Sequence, residues 1–115
     1  MSDQPLAERH CSPCEGKVAA LAPAQQERLL ARLGDNWKLG QSHGHDQITR
    51  VFKFHGFVEA VDFVNRITPT AEAEGHHPDL LVRWGSVEVR LWTHVAAGLT
   101  ENDFVLAARI DRLYG

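Results

Sequence analysis

No stretch of this 115-residue chain approaches the roughly eighteen consecutive apolar residues that a membrane span needs. The opening residues, Met1-Ser2-Asp3-Gln4-Pro5, have neither the basic nor the apolar stretch of a secretory signal, so a cytoplasmic protein with no membrane role is expected. Cysteine is scarce. Cys11 and Cys14 alone cannot build a disulfide framework. Basic charge is also short: 12 Lys and Arg stand against 15 Asp and Glu, for a net charge of -3. The cations are scattered, and without a basic stripe direct nucleic-acid binding has no electrostatic footing. The remainder is ordinary globular usage, 43% hydrophobic and 23% charged, which excludes disorder, collagen and coiled coil as the main class. The one excess is histidine. Seven are present, at positions 10, 43, 45, 55, 76, 77 and 94. Histidine titrates near neutral pH and also binds metals, so any chemistry is sought there.

The length predicts one domain. Residues 1–22, with Pro5, Pro13 and Gly16, read as a loosely ordered arm ahead of a single domain over 23–115. Pro23 opens a helix that Gly34 stops, with Leu29, Leu30 and Leu33 on one face. A short strand at Trp37–Leu39, a polar connection over 41–47 and a strand over Ile48–Phe54 suggest a hairpin with a long loop. Ile48, Phe52 and Phe54 share a strand face on which Arg50 is out of place.

Phe57, Val61, Val64 and Ile67 have helical spacing. Pro69 is expected to end or kink that helix, with a restart at Thr70 and a stop at Gly75. A second hairpin runs from Leu80–Trp84 through a Gly85-Ser86 turn to Val87–Thr93. A final helix is capped at Thr100, with Leu106, Ile110 and Leu113 as its stripe. Asp103 falls one turn before Leu106 on that packing face, where a carboxylate needs a reason. The order α-β-β-α-β-β-α, with hairpins and no crossovers, predicts an α+β two-layer domain: a four-stranded antiparallel sheet with helices packed on one face.

The cluster that stands out by residue type is Glu72, His76, His77, Trp84, His94 and Asp103. Glu72 and His76 are four apart and share a face if helical. Pro78 biases His77 toward extended backbone. With Gly85-Ser86 as the turn, Trp84 pairs with Val87 and position 77 lies opposite 94, so the hairpin brings His77 and His94 to one open end. Three histidines at one place admit three readings: ordinary satisfied side chains, a metal site, or a metal-free acid/base site. No nucleophile motif, phosphate loop or dinucleotide fingerprint competes.

The pattern Glu72-x3-His76-His77-Pro78-x5-Trp84-x9-His94-x8-Asp103 resembles the signature of the pterin-4a-carbinolamine dehydratase family. The resemblance extends over Trp37, Phe52-Lys53-Phe54 and the 57–67 helix, covering roughly residues 20–113. It implies elimination of water from a 4a-hydroxytetrahydropterin to give the quinonoid dihydropterin, which recycles the pterin of aromatic amino-acid hydroxylases. It implies a four-stranded antiparallel sheet, no metal, no organic cofactor, and assembly as homodimers or homotetramers. Some animal members also bind a transcription factor as a dimerisation partner.

Carried over by position, His76 and His94 would act as acid/base groups around C4a, and His77 would bind and orient the pterin. Glu72, Pro78, Trp84 and Asp103 would bind substrate or support the site. Asp103 could instead serve the N-terminus of its helix, Glu72 could hold a histidine or simply be structural, and Trp84 and Trp92 could pack on the sheet or wall the pterin. Competing functions are a non-catalytic dimerisation or assembly module on the same fold, and a small metal-binding domain. His10-Cys11-Ser12-Pro13-Cys14 lies outside the signature and reads as a mobile arm with thiols, or as a weak zinc or redox motif.

Overall fold

The computed structural model describes residues 4–12 and 18–115. Cys14, and with it the Cys-x-x-Cys reading, lies outside the described residues. The elements are α1 (Pro23–Leu33), β1 (Lys38–Ser42), β2 (His45–Lys53), α2 (Phe57–Glu74), β3 (Asp79–Arg83), β4 (Ser86–Leu91) and α3 (Glu101–Tyr114), with short 3-10 turns at Leu6–Glu8 and His94–Ala96. All strand pairs are antiparallel, in the order β1-β2-β4-β3. The chain is therefore the α+β two-layer domain that its hydrophobic pattern predicts.

Alternation along the strands builds the core. Ile48 and Phe52 of β2 and Val87, Val89 and Leu91 of β4 point one way and are fully buried. Ala60, Phe63 and Ile67 of α2 and Phe104, Leu106 and Ile110 of α3 close over them. The opposite sheet face carries Val51 and Leu81, both substantially exposed. Arg50, out of place by pattern, points inward and is satisfied there. Its Nη1 donates to Asp111 Oδ1 at 2.7 Å, its guanidinium lies 4.2 Å over the Phe52 ring, and Trp37 Nε1 donates to the same carboxylate at 3.0 Å. Burial raises the Asp111 carboxyl above its ordinary value, against the opposing pull of Trp37 and Arg50.

Three local expectations are corrected. The 41–47 connection is a two-residue turn, since Ser42 pairs with His45 and the turn residues His43 (φ 52°) and Gly44 (φ 82°) are both left-handed, as a type I′ hairpin turn requires. Pro69 neither ends nor splits α2, which is continuous to Glu74. Proline removes one N–H on the solvent side, while Phe63 and Ile67 before it and Ala71 after it are buried and hold both halves on the core.

The second hairpin turns at Trp84-Gly85, with Arg83 opposite Ser86. The reason is tertiary. Phe54 N–H donates to Gly85 O at 2.9 Å, and a Cβ on Gly85 would lie 3.3 Å from Phe54 O. Glycine eases that close approach to another backbone, and its φ is not left-handed. The resulting register carries position 77 opposite 92 and not 94. The shift is two residues, so every side chain keeps its face.

Residues 4–12, within the segment read as a loose arm, run against α3 and the end of α2. Leu6 is in the core, Ser12 exchanges two 2.8 Å bonds with the Asn102 amide, and Cys11 N–H donates to Glu74 at 2.7 Å. Among the described residues no helix is long and apolar enough to cross a membrane.

Candidate active site

The end of α2 places the first two histidines. Gly75 is left-handed (φ 63°), its N–H donates to Glu72 O at 3.3 Å, and His76 N–H reaches back to Ala71 O at 3.2 Å. These two bonds are the Schellman stop, which satisfies the last carbonyls and turns the chain sharply out of the helix. The turn separates Glu72 from His76, so the expected pair on one helical face does not form. Glu72 instead bonds His77, on the surface where both side chains are exposed.

His76 points inward. Its Nε2–H donates to Asp103 Oδ1 at 2.6 Å. Asp103 is fully buried at the first turn of α3, and its other oxygen accepts Thr93 Oγ1–H at 2.8 Å and Thr100 N–H at 2.9 Å. Both readings of Asp103 are therefore realised in one side chain: it caps α3 and it holds an imidazole. The Asp103 bond places the proton of a neutral His76 on Nε2 and leaves Nδ1 unprotonated.

His94 arrives from the other side. It opens the 3-10 turn that follows β4, a loop closed by the Thr93–Gly98 bridge. His76, His77 and His94 line one cleft of about 250 Å³, completed by Gly75, Trp92, Thr93 and Val95. Beyond His77 lies an apolar depression of about 200 Å³ with Glu72, Pro78 and Leu80 on its wall, so the His77 ring borders two cavities. A larger hollow of about 460 Å³ between α1 and β1 contains no imidazole.

Trp84 is not brought to the cleft. It sits at the tip of the β3–β4 hairpin, the end away from His77, and is 71% exposed. Trp92 borders the cleft, but its indole is stacked on by His45 (ring centroids 3.5 Å apart) and by His94 (3.9 Å). It has no free face on which a pterin could stack. Among the described residues no three His, Cys, Asp or Glu side chains are arranged to hold one metal ion.

Thr93, Thr100 and His45 escaped the sequence reasoning. Thr93 and Thr100 were legible only as a strand end and a helix cap. His45 was legible only if β2 was known to begin there.

Comparison with known proteins agrees with this architecture. The model of the family described as pterin 4 alpha carbinolamine dehydratase matches residues 19–113. The chain is 46% identical to a protein of Rickettsia canadensis over 92% of its own length and 94% of the relative's, and 46% identical to one of Halorhodospira halophila over 94% and 96%. Both relatives bear the name "Putative pterin-4-alpha-carbinolamine dehydratase". Among solved structures it is similar to a transcriptional coactivator/pterin dehydratase from Brucella melitensis, with a TM-score of 0.74, 32% identity, and coverage of 84% of this chain and 99% of that one. It shares its fold with a pterin dehydratase-like RuBisCO assembly factor of the alpha-carboxysome, at a TM-score of 0.59 and 20% identity over 72% and 94% of the two chains.

Proposed function

The chain belongs to the pterin 4 alpha carbinolamine dehydratase family, and from that premise we propose that it eliminates water from a 4a-hydroxytetrahydropterin by histidine acid/base catalysis. The observation that carries the reading is the meeting of His76, His77 and His94 on one cleft, with His76 held by a fully buried carboxylate.

The chemistry needs two proton transfers. As the C4a–O bond breaks, the departing oxygen takes a proton from an acid and leaves as water. As the C4a=N5 bond forms, the N5 proton goes to a base, and the quinonoid dihydropterin results. Imidazoles titrate near neutral pH and serve either role, each contributing about 10²–10⁴-fold when well placed. His76 and His94 share these transfers. His77, paired with Glu72 at the mouth, binds and orients the pterin ring. The family's dimers or tetramers belong to the same reading, with the exposed Phe57 and Val58 of α2 and Leu81 of β3 as apolar surface that such contacts would cover.

Stopped-flow decay of chemically generated 4a-hydroxytetrahydropterin, with and without protein, tests this. Acceleration proportional to protein concentration is expected. A non-catalytic assembly module on this fold predicts the spontaneous decay rate at every protein concentration.

A further inference from the structure

Each imidazole of the cleft is restrained by a different neighbour. His76 has Asp103, and His77 has Glu72. Among the described residues the His94 ring has no hydrogen-bonding partner of this kind, although it is exposed on a short turn. It lies instead on the Trp92 indole, with centroids 3.9 Å apart and planes 23° apart. His45 lies on the same indole at 3.5 Å and 15°. Two rings that near one centroid cannot share a face, so the indole is clamped between them.

The backbone accounts for the column. β2 and β4 pair with Ile48 opposite Leu91. Continued one step outward, that register sets Gln47 opposite Trp92, with His45 two residues further along β2 on the same face, while His94 follows Trp92 in the 3-10 turn after β4. The tight His43-Gly44 turn lets β2 begin at His45, early enough to reach the indole. His45 is 8% exposed and is a poor candidate for a surface acid or base.

A stacked indole also suits a residue that must gain and lose a proton. A carboxylate partner favours the imidazolium. An aromatic face packs the neutral ring and attracts the charged one, so the plane of the ring is kept in both states.

We propose that Trp92, backed by His45, is the positioning residue for His94, fixing its ring plane at the cleft. In its kinetic consequence this rests on the dehydratase reading; in its structural content it does not, and the experiment separates the two. The imidazole C–H resonances of His94 are assigned by NMR through loss of signal in His94→Gln. In the wild-type chain they are expected to lie upfield of free histidine, from the indole ring current. They return toward the free position in Trp92→Leu, and move part of the way in His45→Ala, which keeps the indole and serves if Trp92→Leu fails to fold.

In the dehydration assay Trp92→Leu is expected to lower kcat by about 10–100-fold with little change in KM. Trp92→Phe, which restores an aromatic face, recovers most of the loss. Unshifted His94 resonances in the wild type, or the same resonances in folded Trp92→Leu or His45→Ala, overturn the proposal. So does full kcat in Trp92→Leu where His94→Gln is inactive. If the wild-type chain does not dehydrate the pterin at all, the functional reading fails, and the resonances alone decide the role of Trp92.

Discussion

The His76 ring and the Asp103 carboxylate are 27 residues apart in sequence and 2.6 Å apart in space. The contact joins the stop of α2 to the start of α3, so one bond ties the fold's two longest helices to the cleft. Replacement of Asp103 by Asn keeps the shape but offers a single acceptor oxygen where Thr93 O–H, Thr100 N–H and His76 N–H all converge. Asp103→Asn is expected to lose about 1–3 kcal/mol in urea unfolding. It should also lower dehydration by roughly 10²–10⁴-fold, because the His76 tautomer is no longer specified. Wild-type turnover in a folded Asp103→Asn chain would show that the bond is structural only.

Gly75 isolates the backbone contribution to the same site. A Cβ there meets nothing within 4 Å, so the left-handed φ of 63° is the only obstacle to alanine. Gly75→Ala should therefore destabilise by about 1–2 kcal/mol while leaving the folded cleft active. Equal stability of the two proteins in denaturant titrations would refute the assigned turn.

Asp111 gives a control away from the chemistry. It accepts from both Trp37 and Arg50 in a half-buried setting. Asp111→Ala leaves the Arg50 guanidinium and the Trp37 N–H without their carboxylate and should cost about 1–3 kcal/mol, with the dehydration rate per folded molecule unchanged. A rate loss without a stability loss would reverse that assignment.

Glu74 carries the pH prediction. Burial pushes its carboxyl up, but the bonds from His10 and Cys11 N–H and the charge of Arg109 outweigh it and hold the group below its ordinary value of 4.5. A depressed carboxyl stabilises the folded chain above the unfolded value, and that stabilisation is lost as pH falls through the folded one. The Cys11 amide proton, which donates to Glu74, should therefore shift with a midpoint below 4.5. Glu74→Gln should abolish the titration. A midpoint at or above the ordinary value would contradict the clasp.

Much of this was legible in the chain itself, and the exceptions share a cause. Pro23, Gly34 and Thr100 mark helix ends by local backbone chemistry: α1 begins and ends, and α3 begins, as they dictate. His77 and His94 were expected at the open end of one hairpin, and both line the cleft there although 77 lies opposite 92. His94 stays at that end in the 3-10 turn after β4, and His76 joins them through the stop of α2.

What was hidden depends on contacts across the fold. Helix α2 passes through Pro69 because buried side chains on both sides hold it. The turn slides to Trp84-Gly85 because Phe54 backbone docks there. The tight first hairpin was masked by a histidine in a left-handed position more often filled by Asn or Asp. The His45–Trp92 stack needs the pairing of β2 with β4, strands separated by a helix and a third strand. Glu72 was matched to the wrong histidine because the Schellman turn intervenes.

The acid/base role of the cleft is tested most directly by comparing dehydration rates of the wild-type chain, His76→Ala and His94→Ala at equal folded fraction. Each variant is expected to fall by about 10²–10⁴-fold with its far-ultraviolet circular dichroism intact. Wild-type rates in both folded variants would contradict it.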